Sequence, residues 1–107
     1  MSTLPVKTVF VGVVGQILEF TIVDAAGNPI DISGATVQRF LILRPDGQLL
    51  TRTTSFTSDG TDGKIRYSTV AEDLTVKDTY YIQAYLELPT WQGHSEIKEF
   101  EVFAPLG

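Results

Sequence analysis

The chain has no cysteine, a single histidine and a single tryptophan in 107 residues, and no apolar run approaches the roughly 18 residues that a membrane span needs. Without cysteine there is no disulfide framework, no thiolate metal site and no sulfur nucleophile. His94 stands beside Ser95 and Glu96 in a segment that reads as a strand. Adjacent strand residues point to opposite faces, so these three do not form a Ser-His-acid relay, and no glycine-elbow serine is present. Gly12 and Gly15 do not open a helix, which removes a phosphate cradle. Asp59 and Asp62 in Ser58-Asp-Gly-Thr-Asp-Gly63, with Asp46 elsewhere, lack the spacing and distal glutamate of a calcium loop and read as turn chemistry. These absences lead us to expect no enzymatic activity, no metal and no cofactor. Basic residues are scarce as well: eight Lys and Arg against thirteen Asp and Glu leave a net charge of −5, which disfavours nucleic acid and anionic membranes as partners. Met1 to Pro5 lacks a basic n-region leading into an apolar stretch, so no export signal is expected.

What the chain does have is turn grammar and period-two alternation. A hydrophobic fraction of 43% and a mean hydropathy of +0.10 belong to a globular chain, and the length suits one domain over residues 1–107 with a short N-terminal arm. Asp24-Ala-Ala-Gly-Asn-Pro29 ends a strand, because Asp and Asn bond back to the local backbone, Gly27 permits positive φ and Pro29 stops the ladder. Pro45-Asp-Gly47 suits a tight reversal, and Pro89 to Gly93 makes another turn. Between these lie apolar or alternating runs: Lys7 to Val14, Ile17 to Val23, Thr36 to Arg44, Gln48 to Phe56, Lys64 to Thr69, Asp78 to Leu88 and His94 to Phe103. Ala71 to Val76 is too short for a stable helix and is expected to make one turn crossing between sheets. The fold implied is all-β, an antiparallel two-sheet immunoglobulin-like sandwich of about seven strands, with a closed barrel as the runner-up. Alternation places Leu18, Phe20, Ile22, Ile65, Tyr80, Ile82, Leu86, Phe100 and Val102 in its core.

Phe20 to Gly47, Asp62-Gly-Lys-Ile-Arg-Tyr67, Asp78-Thr-Tyr-Tyr-Ile-Gln-Ala84 and Phe100-Glu-Val102 together resemble the small immunoglobulin-like domain at the N-terminus of tailed-phage baseplate upper proteins, and similar free-standing virion structural proteins. Asp78 stands where that family usually has glycine. The resemblance implies a non-enzymatic structural part of a bacteriophage particle, located in the virion. Because the chain stops at Gly107, we expect a head decoration or cement protein, with a tail or baseplate component as the alternative. A carbohydrate-binding adhesion module is a further alternative, in which Trp91 and a tyrosine would stack on sugar rings. Implied partners are phage capsid or tail and baseplate proteins, with contacts between copies adding to them as a homo-oligomer. The candidate interface residues are Val9, Val11 and Val13, in a β-branched segment suited to pairing with a neighbour, and Tyr81, Tyr85 and Trp91, aromatics on or after the long strand.

Overall fold

The computed structural model describes residues 2–4 and 8–106, and among them every regular element is a strand. In chain order these are β1 (Ser2–Thr3), β2 (Val9–Phe10), β3 (Ile17–Thr21), β4 (Val37–Leu43), β5 (Leu49–Thr53), β6 (Ser55–Phe56), β7 (Lys64–Ser68), β8 (Asp78–Glu87) and β9 (Gln92–Phe103). They form two sheets. A six-stranded sheet has the order β1-β9-β8-β4-β5 with β2 also on β9, and a three-stranded sheet has the order β3-β7-β6. All nine residues that alternation places in the core are buried, joined by Phe40 and Ile42 of β4 and by Ile32 and Leu74 from connecting segments. Each fully buried side chain of this size contributes about 1.5–3 kcal/mol, so the seam between the sheets is the main stabilising element. β5 runs on into β6 through buried Thr54, whose amide donates to the Gln38 carbonyl, so the chain closes one side of the sandwich itself.

The N-terminal apolar run differs from expectation. Only Val9 and Phe10 form a strand. The chain then turns at Val11 and Gly12, where φ is +87° and the Gly12 amide donates to the Leu74 carbonyl at 2.8 Å. β1 and β2 pair in parallel with β9, in register Ser2 to Lys98 and Val9 to Val102. A run with two apolar faces therefore divides them, Val9 entering the core and Phe10 staying 46% exposed. Lys7 lies outside the described residues.

Two local devices fix the crossover from β7 to β8, which contains no helix. Tyr80 is wholly buried, and its hydroxyl donates to the Val76 carbonyl at 2.6 Å while accepting from the Val76 amide at 3.1 Å. This is the tyrosine corner of immunoglobulin-type sandwiches. The second device is Asp73, also wholly buried. It accepts from Arg52 Nη2 of β5 at 2.7 Å, from the Tyr67 hydroxyl of β7 at 2.5 Å and from the Val70 amide at 3.0 Å. Burial pushes the Asp73 carboxyl up, but the hydrogen bonds from Tyr67, Val70 and Arg52 outweigh it and hold the group below the usual carboxylate range. Burial and the Asp73 contact push the Tyr67 phenol up to about 12.

Two backbone positions need comment. Gly63 has φ +75°, and a Cβ there would lie 2.7 Å from the Ile22 carbonyl oxygen, so only glycine fits where β3 leaves its partner. Asp78 opens β8 with φ +120°, a conformation open mainly to glycine, held by its own carboxylate accepting from the Thr79 amide at 2.9 Å.

Asp73→Ala should cost about 1–3 kcal/mol in urea denaturation, because it leaves the Tyr67 hydroxyl and the Val70 amide without an acceptor, while Arg52, 29% exposed, turns to water. A carboxyl whose folded value is depressed contributes stability that is present above its unfolded value and lost as pH falls through the folded one. The wild type should therefore lose the Asp73 share below about pH 4. Tyr67 is raised, so its share is fully present below about pH 10 and is lost as pH climbs through about 12. Asp73→Ala should flatten both limbs of the stability profile. Asp78→Gly should instead stabilise the fold, by about 1 kcal/mol of released strain, seen as a higher denaturant midpoint at unchanged m.

Candidate docking surface

The outward face of the six-stranded sheet is where exposed apolar side chains gather, and strand register explains why. Phe40 and Ile42 of β4 and Ile82 of β8 point into the core, so Leu41, Leu43 and Tyr81 point out. Leu43 stands opposite Leu49 on β5 and opposite Tyr81 on β8. One step along, Leu41 faces Gln83, which faces Ile97 on β9. The result is a strip across four strands with Leu43 40%, Leu49 58%, Tyr81 36% and Ile97 42% exposed, around a shallow depression of ≈ 250 Å³. Contiguous exposed apolar area of this kind marks contact sites on soluble domains. Glu99, paired with Tyr81, and Glu101 border it on the β9 side.

The sequence candidates scatter around this strip. Tyr81 belongs to it. Tyr85 shares the face but anchors a polar cluster: its hydroxyl donates to Glu87 at 2.7 Å, Arg39 sits 4.7 Å from its ring centroid and the His94 ring lies 4.9 Å away, tilted by 51°. The Glu87 carboxylate, with some burial, raises the Tyr85 phenol above its ordinary value. Trp91 is 45% exposed in the β8 to β9 hairpin, its ring over Gly93. Some seven residues separate Tyr81 from Leu88, where that hairpin begins, a span of about 23 Å along a strand. The three aromatics are thus spread along the sheet rather than gathered at one point. Val9 is a correction: at 1% exposure it is core, since β2 pairs with β9 and turns that side chain inward. Val11 and Val13 are half-buried and pack against the core.

The residues that make the strip, Leu41, Leu43, Leu49 and Ile97, were not candidates from sequence. A signal existed, because Thr36 to Arg44 carries apolar residues on both faces and the Pro45-Asp-Gly47 turn sets Leu49 against Leu43. Ser95 and the acidic loop serve local structure. Ser95 Oγ accepts from the Ala84 amide at 2.9 Å and donates to the Glu96 carbonyl at 2.8 Å, stitching a bulge in β9. Asp59 accepts from the Thr61 amide at 3.0 Å and hydroxyl at 2.7 Å, and Asp62 from the Lys64 amide at 3.1 Å. Among the described residues no group of three or more His, Asp or Glu is placed to hold a metal ion.

The fold is an immunoglobulin-like sandwich with a tyrosine corner and an apolar strip on one outer face. The chain belongs to the BppU N-terminal domain family, whose model matches residues 15–105. It is thus a baseplate- or tail-related structural domain of bacteriophage, associated with the virion. The crystal structure of CopC from Methylosinus trichosporium OB3b is similar in fold, with a TM-score of 0.57 and 12% identity over 96% of this chain and 90% of that chain. None of the curated proteins compared matches the chain.

The strip and the core differ by one residue in register, which makes a sharp test. Ile42→Ala should lower stability by about 2–5 kcal/mol, whereas Leu43→Thr, next to it and facing out, should change it by no more than about 0.5 kcal/mol, both read from denaturant midpoints.

Proposed function

We propose that the domain is a non-enzymatic docking module that seats the outer face of its six-stranded sheet on a neighbouring tail or baseplate protein of the phage particle. The strip of Leu49, Leu43 and Tyr81, in register across three strands, with Ile97 two residues along on the fourth, carries this reading, because exposed side chains of this type gain most when a partner excludes water from them. Glu99 and Glu101 beside the strip, with a net charge of −5, favour a partner whose apolar contact is flanked by lysine or arginine. One strip offers modest area, so occupancy would draw on repeated copies in a symmetric assembly. Family membership favours the tail or baseplate over decoration of the head.

Particles should be produced with the wild-type chain, with Leu43→Asp and with the pair Tyr81→Ala and Tyr85→Ala, each shown to be folded by far-UV circular dichroism. Quantitative mass spectrometry and cryo-electron microscopy should find a small set of wild-type copies on the tail and an occupancy at least about tenfold lower for Leu43→Asp, the effect of losing about 1.4 kcal/mol. Copies spread over the head would replace the tail reading with decoration. Undiminished occupancy of Leu43→Asp would remove the sheet face as the contact. Selective binding on a glycan array, lost in Trp91→Ala, would favour the sugar-binding alternative.

A further inference from the structure

The three-stranded sheet has an open side. In β3, the Ile22 amide donates to the Gly63 carbonyl and the Thr69 amide to the Gln16 carbonyl, which fixes the even-numbered residues as those bonded to β7. Ile17, Glu19 and Thr21 therefore aim their amides and carbonyls away from β7, and among the described residues β3 has no second neighbour. In constant-type immunoglobulin sandwiches a first strand flanks the strand equivalent to β3. Here β1 and β2 pair with β9 of the opposite sheet, and no strand among the described residues takes that position. A depression of ≈ 330 Å³ lies beside the edge, lined by Phe20, Thr21, Val23, Asp24, Ser95 and Glu96. Lys98 reaches across from β9, with Nζ 4.7 Å from the Phe20 ring centroid.

Other edges are guarded, which is how sheet proteins ordinarily avoid unwanted pairing. β9 is covered by β1 and β2 over part of its length and interrupted by the Ser95 bulge elsewhere. β5 is also an edge of the larger sheet, but Arg52 guards it, its Nη1 donating to the Thr51 carbonyl at 3.2 Å and its guanidinium tied to Asp73 of the crossover, and β6 is two residues long. β3 has no proline and no bulge, and no strand among the described residues lies over it.

We propose that the free edge of β3 receives an extended segment of a partner phage protein, which adds to the three-stranded sheet as its fourth strand. The recognising chemistry is main-chain hydrogen bonding to Ile17, Glu19 and Thr21, about 4.8 Å from β3. Asp24 and Glu96 line the depression beside the edge, with the Lys98 ammonium 3.8 Å from Glu96, so two carboxylates face one cation there and the segment carries lysine or arginine, with no proline in the paired stretch. A second copy fits poorly: antiparallel self-pairing centred on β3 sets Glu19 against Glu19, and each chain carries −5. This inference rests on the docking reading above and adds a second contact to it.

The test is hydrogen–deuterium exchange across Gln16 to Val23, with single-residue resolution, in the free domain and in purified particles. In the free domain the Glu19 and Thr21 amides should exchange fast while Leu18 and Phe20 are slow; in particles Glu19 and Thr21 should slow by at least about tenfold. Glu19→Pro removes an outward amide and the hydrogen bond that the Glu19 carboxylate accepts from the Thr57 hydroxyl at 3.0 Å, whereas Glu19→Ala removes the second alone, so the proline variant should lower particle occupancy below the alanine variant while the two keep thermal midpoints within a few degrees of each other. Fast exchange at Glu19 and Thr21 in particles that carry the domain overturns the edge and leaves the docking reading intact. Slow exchange already in the free domain also overturns it, since the chain's own arm would then hold the edge. Absence of the domain from particles overturns both readings.

Discussion

Asp73 is the residue on which the arrangement of the sheets turns. Its carboxylate is removed from water and is stable there only because three donors converge on it, one from each sheet and one from the crossover itself. Hydrophobic contact is not directional and would allow the two sheets to slide by a residue with small loss. A buried charge does not allow this: a slip that takes Arg52 or Tyr67 out of reach leaves the carboxylate unpaired, at a cost of about 3–5 kcal/mol. The pairing therefore sets the angle at which the chain enters β8, and Tyr80 locks the entry by claiming both backbone groups of Val76. β8 then defines the outward row to which Tyr81 belongs.

Much of the fold was legible because alternation reports a face directly. Leu18, Phe20 and Ile22 in one strand and Tyr80, Ile82 and Leu86 in another needed only the pleat to be placed. The polar linchpin was not legible. Asp73 lies in a short segment that looks like one helical turn, and nothing local says that an arginine 21 residues earlier will meet it. The N-terminal run failed for a related reason: Val9 pairs in parallel with Val102 at the far end of the chain, and parallel pairing leaves no turn signal. Of the candidate residues, Tyr81 was found by its face. Leu43, Leu49 and Ile97 escaped because a strand with two apolar faces reads equally well as a fully covered central strand. The departure at Asp78 was visible as an aspartate where glycine is usual, and its meaning came only with the backbone angle of +120°.

The course of the N-terminal arm has consequences on both sheets. Lying on β9, it buries Leu4 and Val9, each to 1% exposure, a gain of about 1.5–3 kcal/mol per side chain. Lying on β3 instead, it would complete the smaller sheet but expose the rim of β9, where Phe100 and Val102 close the core. Leu4 and Val9 gain their burial on the larger sheet, and among the described residues the smaller sheet keeps three strands. Self-association through that edge is opposed by Glu19 and by the overall charge of −5. Those same charges do not oppose a cationic partner. On the proposed reading, the charge of −5 and Glu19 disfavour pairing between copies at the edge while the same charges favour a basic neighbour, and specificity of this kind comes from a difference of affinities.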